Sequence, residues 1–243
     1  PTFADPNCSS CGQGMGDFEV DYQDTSADFW PIVAAIDPVA VVTCSRTNAL
    51  NAWEVEMNSV NFLSWVSDYT APFLPTPTPP DASVPGNFVR QSTLPMQQIL
   101  NAVGSSGLPL NAFIDQTDSG NFLSGYMAYH GMWYQSLHAA ASDPTRCISA
   151  GHIHVGPNIA WNTAIEGTKV TLRTVTTHLD SILAAPGGGD VNVDGLVNVL
   201  DLLGVVAAWG VCPAPPIHCP ADVDHNGSVN ILDLLFVVSH WGS

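Results

Sequence analysis

The chain has 243 residues, of which 46% are hydrophobic and 11% are charged, so it holds enough apolar material for a packed core. Its 22 acidic residues outnumber five Lys and Arg, and the net charge of −17 would repel a phosphate backbone. No apolar run reaches the length of a transmembrane helix. These features favour a globular domain with a smaller appendage and argue against nucleic-acid binding and a membrane span.

Helix and strand patterns alternate along residues 26–185. The predicted helices are Asp28–Ile36, Pro95–Val103, Gly120–Ala141 and Lys169–Leu183, and the predicted strands are Val39–Cys44, Pro109–Ile114 and Cys147–Val155. This alternation predicts an α/β domain over residues 1–185, with a mostly parallel sheet and helices on both faces. In such a sheet, ligands bind beyond the carboxyl ends of the strands.

Two segments that follow predicted strands carry reactive side chains. Ser124 lies in the first turn of the long third helix, where free N–H groups and the helix dipole favour a developing negative charge. His152 and His154 end the next strand, and the period of two points both to the same side. The sequence therefore offers a hydroxyl nucleophile and an imidazole base.

These segments resemble pyroglutamyl peptidase I, a family of cysteine peptidases that remove N-terminal pyroglutamate from peptides. The family's nucleophile helix carries Asp-Ala-Gly-x-Tyr-Leu-Cys-Asn, matched here by Asp118-Ser-Gly-Asn-Phe-Leu-Ser124-Gly. Its histidine strand carries Gly-Phe-Ile-His-Val-Pro, matched by Gly151 to Gly156. The resemblance implies acyl transfer with Ser124 at the nucleophile position and His154 as the catalytic imidazole.

The family's third catalytic residue is a Glu. Glu54 is the predicted counterpart, and Glu56 is the alternative, because the local alignment needs a shift of one residue. Ser124 replaces the family's cysteine, and a hydroxyl ionises far less readily than a thiol. The resemblance therefore implies a peptidase, or alternatively an inactive homologue that binds peptides or serves as a structural subunit of an extracellular complex.

Two further interpretations concern side chains of the third helix. A histidine metal site, with His130 or His138 beside His152 and His154, is the weaker hypothesis, because the first two are predicted on a partly exposed helix face. Aromatic residues of this helix recur at helical spacing and are interpreted as its packed face. They are Tyr126, Tyr129, Trp133 and Tyr134.

An acidic loop occurs twice near the end of the chain. Residues 190–201 recur as 222–233, each with a Gly at the sixth position and oxygen ligands at the positions that an EF-hand loop uses. The predicted ligands are Asp190, Asn192, Asp194, the Leu196 carbonyl, Asn198 and Asp201, then Asp222, Asp224, Asn226, Ser228, Asn230 and Asp233. The pattern predicts two calcium ions.

Each acidic loop runs into an apolar helix, predicted at Leu200–Trp209 and Leu232–Trp241. This loop–helix repeat resembles a dockerin module, over residues 190–243, after a Gly-rich linker at residues 186–189. The resemblance implies a small all-α domain that folds with calcium and docks to a cohesin-like partner. Self-assembly through the module is the alternative.

The cysteines favour an oxidising compartment. Cys212 and Cys219 bracket a proline-rich bridge between the repeats, where a short disulfide loop is expected. Cys44 and Cys147 are predicted to be buried on strands, and the Cys8-x-x-Cys11 pair is weak evidence for zinc. The chain begins at Pro1 without Met, which suggests a processed start. Secretion to the extracellular space or cell surface is the predicted location.

Overall fold

The computed structural model describes residues 20–69, 71–140, 143–183, 189–192, 194–212, 219–224 and 226–242. The Cys8–Cys11 pair and residues 186–188 of the predicted linker lie outside these ranges. The chain divides into two compact units after Thr176.

The helices and strands follow one another with short connections. The helices are α1 Tyr22–Ile36, α2 Met96–Ser105, α3 Leu123–Leu137, α4 Trp161–Leu183, α5 Val199–Ala207 and α6 Ile231–Ser239. The strands are β1 Ala40–Arg46, β2 Ala52–Glu56, β3 Asn58–Val60, β4 Val89–Gln91, β5 Asn111–Asp115, β6 Ser149–Val155, β7 Gly210–Val211 and β8 Ser228–Val229. Predicted helix ends shift by a few residues, except that α1 and α4 begin well before Asp28 and Lys169.

The main sheet has the order β1-β6-β2-β5. The outer pairs, β1 with β6 and β2 with β5, are parallel, whereas the central pair, β2 with β6, is antiparallel. The predicted α/β class is therefore confirmed, with one reversed strand pairing at the centre of the sheet. Strand β2 was not among the predicted strands, and all of its residues are buried although two of them are glutamates.

Helix α3 covers one face of the sheet and α4 the other. A Cβ added at Gly131 of α3 would lie 3.3 Å from the Val41 side chain and 3.4 Å from that of Thr43 on β1. On the opposite face, the Trp53 indole donates to Thr171 of α4 at 3.2 Å. The predicted placement of helices on both faces holds.

Helix α1 begins early because of a cap that the hydrophobic pattern does not reveal. The Asp21 carboxylate accepts the N–H groups of Gln23 and Asp24, which satisfies two donors that the first turn leaves free. The apolar side of α1 then packs beside α3 in a core of buried side chains, which comprises Phe29, Val33, Val41, Tyr134, Cys147 and Ala150.

Two burial predictions turn out wrong. Cys44 is exposed, because its side chain alternates away from the face that α3 covers, whereas Cys147 is buried as predicted. His130 is fully buried rather than partly exposed, because aromatic side chains of α1 and α3 surround it. The predicted packed face of α3 is confirmed at Tyr126, Tyr129 and Tyr134, which are all buried.

The second unit contains the two acidic loops, each leading into a helix. Helices α5 and α6 pack over a small apolar core, which comprises Val197, Val205, Ala221, Val229 and Val237. A short antiparallel pair, β7 with β8, adds to the predicted helical design. In the described part of the chain, no helix is both long enough and apolar enough for a bilayer.

Candidate functional site

Four ionisable side chains meet where β2 pairs with β6. In this antiparallel pair, Glu54 lies opposite His154, and Glu56 lies opposite His152. Because residues directly opposite each other share a face, and residues two apart on a strand do too, all four side chains project from one face of the sheet. It is the face that α3 covers, since Thr43 of that face bonds to His152.

His154 makes its shortest contact with Glu56. Its Nδ1 lies 2.6 Å from Glu56 Oε1 and 3.7 Å from Glu54 Oε2. Burial raises the pKa of Glu56, and the hydrogen bond with His154 acts against that rise. The structure thus brings the predicted Glu54 and His154 together, but gives the hydrogen bond to the alternative, Glu56.

His152 is held by two hydroxyl groups of β1. Its Nδ1 lies 2.8 Å from Thr43 Oγ1 and its Nε2 lies 2.8 Å from Ser45 Oγ. Complete burial lowers the pKa of His152 well below its usual range, and the neighbouring His154 acts in the same direction. His152 is therefore a neutral ring that packs beside His154, with 4.6 Å between ring centroids. The sequence had suggested only a shared side for the two histidines.

Ser124 occupies the first turn of α3, as predicted from the sequence. The residue before the helix, Phe122, is extended and provides no side-chain cap, so the first N–H groups of α3 have no such partner. Ser59 anchors this end through a hydrogen bond from its hydroxyl to the Gly125 carbonyl, at 3.0 Å. Within the described ranges, the Ser124 hydroxyl makes no hydrogen bond to His154.

The loop before α3 folds tightly over the helix start. Gly120 has a positive φ of 82°, and its N–H donates to Asp118 Oδ1 at 2.8 Å. A Cβ added at Gly125 would lie only 1.6 Å from the Gly120 carbonyl oxygen. Glycine at position 125 is thus required by this close approach, and the Gly120 carbonyl lies beside the residue that follows Ser124.

His130 does not join the histidines of β6. It lies within α3, where its Nδ1–H donates to the Tyr126 carbonyl oxygen at 2.8 Å. Burial lowers its pKa to about 4. His138 instead contacts Asp143 at 3.0 Å. The alternative of a metal site built on His152 and His154 with these two residues gains no support from the geometry.

The two acidic loops have matching hydrogen-bond patterns. Asp190 accepts the N–H groups of Asp194 and Gly195, and Asp222 accepts those of Asn226 and Gly227. Both sixth-position glycines, Gly195 and Gly227, have a φ of +88°, which allows the sharp turn. The loops therefore fold alike although their sequences differ at several positions.

The last acidic residue of each loop is also part of a helix cap. Asp201 and Asp233 are fully buried, and each completes a capping box with the asparagine that begins its helix, Asn198 or Asn230. The side-chain oxygens of these asparagines accept the N–H groups of Leu200 and Leu232 at 2.8 Å. In the structure the two asparagines serve as helix caps, and their role as calcium ligands stays a prediction.

The donor set of the loops fits calcium. In the second loop, one carboxylate oxygen from each of Asp222, Asp224 and Asp233 lies within 4.8 Å of the others. Hard cations such as calcium prefer carboxylate and carbonyl oxygens, which is the chemistry of these loops. Beside them, Cys212 and Cys219 form the predicted disulfide, with 5.8 Å between their Cα atoms.

Comparison with known proteins identifies the second unit. Residues 188–240 match the model of the dockerin type I domain. Dockerin domains bind calcium, which supports calcium as the cofactor of this unit, and they bind cohesins. No curated protein matches the chain.

Solved structures identify the fold of the α/β domain. Pyrrolidone carboxyl peptidase from Thermococcus litoralis is 16% identical, with a TM-score of 0.53 over 66% of this chain and 76% of that chain. Pyroglutamyl peptidase I from Bacillus amyloliquefaciens is 17% identical, with a TM-score of 0.54 over 65% and 76%. A mutant pyrrolidone carboxyl peptidase from Pyrococcus furiosus is 18% identical, with a TM-score of 0.51 over 66% and 79%. At these identities the similarity shows the fold, and the predicted pyroglutamyl peptidase fold is confirmed.

Proposed function

We propose that this protein is a secreted hydrolase that removes N-terminal pyroglutamate from peptides and is tethered through its dockerin domain. The observation that carries the proposal is the buried imidazole–carboxylate pair at the centre of the sheet, His154 with Glu56 at 2.6 Å. It occurs in the fold of the pyroglutamyl peptidases, on the sheet face that α3 covers, and Ser124 lies in the first turn of α3.

Each group has a role in acyl transfer. The Ser124 hydroxyl attacks the pyroglutamyl carbonyl carbon while His154 accepts its proton and then returns that proton to the leaving amine. Water, activated by His154, then cleaves the ester on Ser124, which releases pyroglutamate and restores the hydroxyl. A carboxylate on the other ring nitrogen of His154 fixes the tautomer and stabilises the imidazolium, and Glu56 is better placed for this than Glu54. The first N–H groups of α3 stabilise the oxyanion.

The dockerin domain determines where the protein is attached. We assign one calcium ion to each acidic loop, with the twelve ligands predicted from the sequence, and a cohesin-like protein as the docking partner. Self-assembly through the same unit is the other candidate. The disulfide between Cys212 and Cys219 supports an oxidising, extracellular setting.

An inactive, peptide-binding homologue is the second candidate function. It is favoured by the missing hydrogen bond between Ser124 and His154 and by the Gly120 carbonyl at the start of α3. A carbonyl beside the oxyanion-binding N–H groups opposes negative charge there. In that case the fold would retain peptide affinity, and the dockerin domain would place it in a larger extracellular complex.

Release of a fluorophore from a pyroglutamyl amide tests the two candidates. In calcium, the parent should be active, and Ser124→Ala and His154→Ala should each lose a factor of about 1,000 or more. If the parent is inactive and Ser124→Cys is active, the scaffold is competent and this chain is the binding form. Inactivity of all variants would overturn the hydrolase assignment.

A further inference from the structure

The cluster formed by Glu54, Glu56 and His154 has the composition of a metal site as well as of a catalytic pair. One ligand atom from each residue lies within 4.8 Å of the others, and all three residues are buried. Acyl transfer needs only one carboxylate beside the imidazole. The second glutamate is therefore surplus to the proposed reaction and calls for a separate explanation.

We propose that Glu54, Glu56 and His154 bind one divalent transition-metal ion, with zinc the best suited to this donor set. Imidazole nitrogen and carboxylate oxygen are both good zinc ligands, and three protein ligands leave a fourth position open to water. The ion is distinct from calcium in the dockerin loops, which offer oxygen ligands alone.

The distances bracket those of a metal centre. Zinc–ligand bonds of about 2.0–2.1 Å in a tetrahedron separate neighbouring ligand atoms by about 3.3 Å. His154 Nδ1 lies 2.6 Å from Glu56 Oε1 and 3.7 Å from Glu54 Oε2. Bringing each of these two oxygens to that separation from His154 changes the distance by less than about 1 Å. The ligand oxygens of Glu54 and Glu56 lie within 4.8 Å of each other. Such shifts lie within the reach of glutamate side chains with fixed backbones.

A buried oxygen without a partner points to the same place. Glu56 is 1% exposed, and its Oε2 makes no hydrogen bond to any described residue. Leaving a charged acceptor buried and unpaired is costly, and a cation beside it removes that cost. Glu56 Oε1 already faces His154, so the second oxygen of the same carboxylate lies at the edge of the cluster.

A divalent ion would balance the charge of this cluster. If both glutamates are ionised, an imidazolium beside them leaves one net negative charge in a buried place. Two carboxylates with a neutral imidazole and a divalent cation sum to zero. His152 is not a ligand in this scheme, because hydroxyl groups of Thr43 and Ser45 engage both of its nitrogens. It packs against His154 and supports the orientation of that ring.

The proposed ion and the proposed reaction exclude each other at one atom. Zinc on Nδ1 of His154 takes the place of the proton that the catalytic pair shares there. Metal binding is nevertheless a property of the folded site and does not require that the chain be an enzyme. Its test therefore uses binding rather than turnover, so that failure of one proposal leaves the other standing.

The test is a zinc titration of the full chain, read by competition with a chromophoric chelator. Saturating calcium keeps the dockerin loops filled, and Cys8, Cys11 and Cys44 are replaced by serine to remove thiol ligands. We expect Glu56→Gln and Glu54→Gln each to weaken the binding of one zinc ion by at least about a hundredfold. The matched control, Glu166→Gln, changes an exposed glutamate of α4 and should leave zinc affinity unchanged.

The absorption spectrum of bound cobalt provides a second measurement of the site. Bound by one nitrogen and two carboxylates, it should give a visible absorption band without the strong ultraviolet band of a thiolate complex. Circular dichroism verifies that the variants are folded. Equal zinc affinity and stoichiometry in the parent, Glu54→Gln and Glu56→Gln would overturn the proposal, as would a cobalt spectrum that these substitutions leave unchanged.

Discussion

The two places where this protein gathers carboxylates are assembled in opposite ways. In the dockerin unit, the side-chain hydrogen bonds between residues of one acidic loop join positions at most nine apart, as from Asn192 to Asp201. In the α/β domain, His154 meets Glu56 across 98 positions. The arrangement of each acidic loop depends on a short stretch of sequence, whereas the His154–Glu56 pair exists only when the sheet is formed. The two sites should therefore fail for different reasons.

Loss of the terminal loop carboxylates should have the largest effect. Asp233→Ala removes a fully buried group that accepts the N–H of Asp224 and of Asn230. Charged hydrogen bonds contribute about 1.5–3 kcal/mol each, so we expect the dockerin unit to lose at least about 3 kcal/mol and its calcium-dependent helicity. Circular dichroism during a calcium titration measures this.

The control is Asp180→Ala, which changes an exposed aspartate of α4. It should leave the calcium titration unaltered. If Asp233→Ala also lowers the unfolding temperature of the α/β domain, then the two sites are not independent of each other.

A methyl group at Gly125 tests the loop at the start of α3 in the α/β domain. Its Cβ would meet the Gly120 carbonyl, so the loop over the start of α3 must move, and overpacking of this kind costs about 3 kcal/mol. Gly104→Ala is the matched control, because no atom lies within 4 Å of its added Cβ and alanine favours a helix by about 0.5–1 kcal/mol. Denaturant unfolding should show opposite signs for the two substitutions. A neutral Gly125→Ala would contradict the described loop.

The disulfide of the dockerin unit should contribute less. Replacing Cys212 and Cys219 by serine removes a short covalent loop, which we expect to cost about 2–3 kcal/mol. Calcium affinity should fall with it, because folding and binding are coupled in such units. Calorimetric calcium binding measures the loss, and Cys44→Ser, at an exposed unpaired thiol, should show none. An unaltered affinity would mean that the disulfide does not restrain the unfolded unit.

Above about pH 6, the smallest effect is the pH dependence of the stability of the α/β domain. His130 has a pKa lowered to about 4 by burial, while the unfolded chain titrates near the usual value of about 6.5. The unfolded state therefore binds the proton first as pH falls, so stability declines between these values, by up to about 1.4 kcal/mol per pH unit. The hydrogen bond to the Tyr126 carbonyl and the charge of Asp81 raise the pKa of His130, against the effect of burial.

His130→Phe should flatten this slope, as measured by denaturant unfolding at several pH values in calcium. Above pH 7, roughly, both proteins should show no slope from this residue, since the imidazole is then neutral in both states. An unchanged slope below that value would assign the acid sensitivity to His152 or to carboxylates instead.

The same contrast explains what could be predicted from the sequence. The dockerin loops, their helices and the disulfide could all be predicted from the sequence, because each depends on a local pattern of ligands, caps and spacing. Ser124 and His154 were predicted through short motifs that the resemblance supplied. Strand β2 escaped prediction, because buried glutamates at alternate positions look like the outer face of a strand or a loop. Only its pairing with β6 reveals that Glu56, two residues after the predicted Glu54, reaches His154.

The double role of Asp201 and Asp233 has a consequence for where the protein can be held. Each residue predicted as the last calcium ligand of its loop also completes the capping box of the following helix, so ion binding and the first helical turn would depend on one carboxylate. In a calcium-poor compartment we therefore expect the helices that a partner would recognise to be less organised. Attachment is then expected to begin only after the chain reaches a calcium-rich compartment.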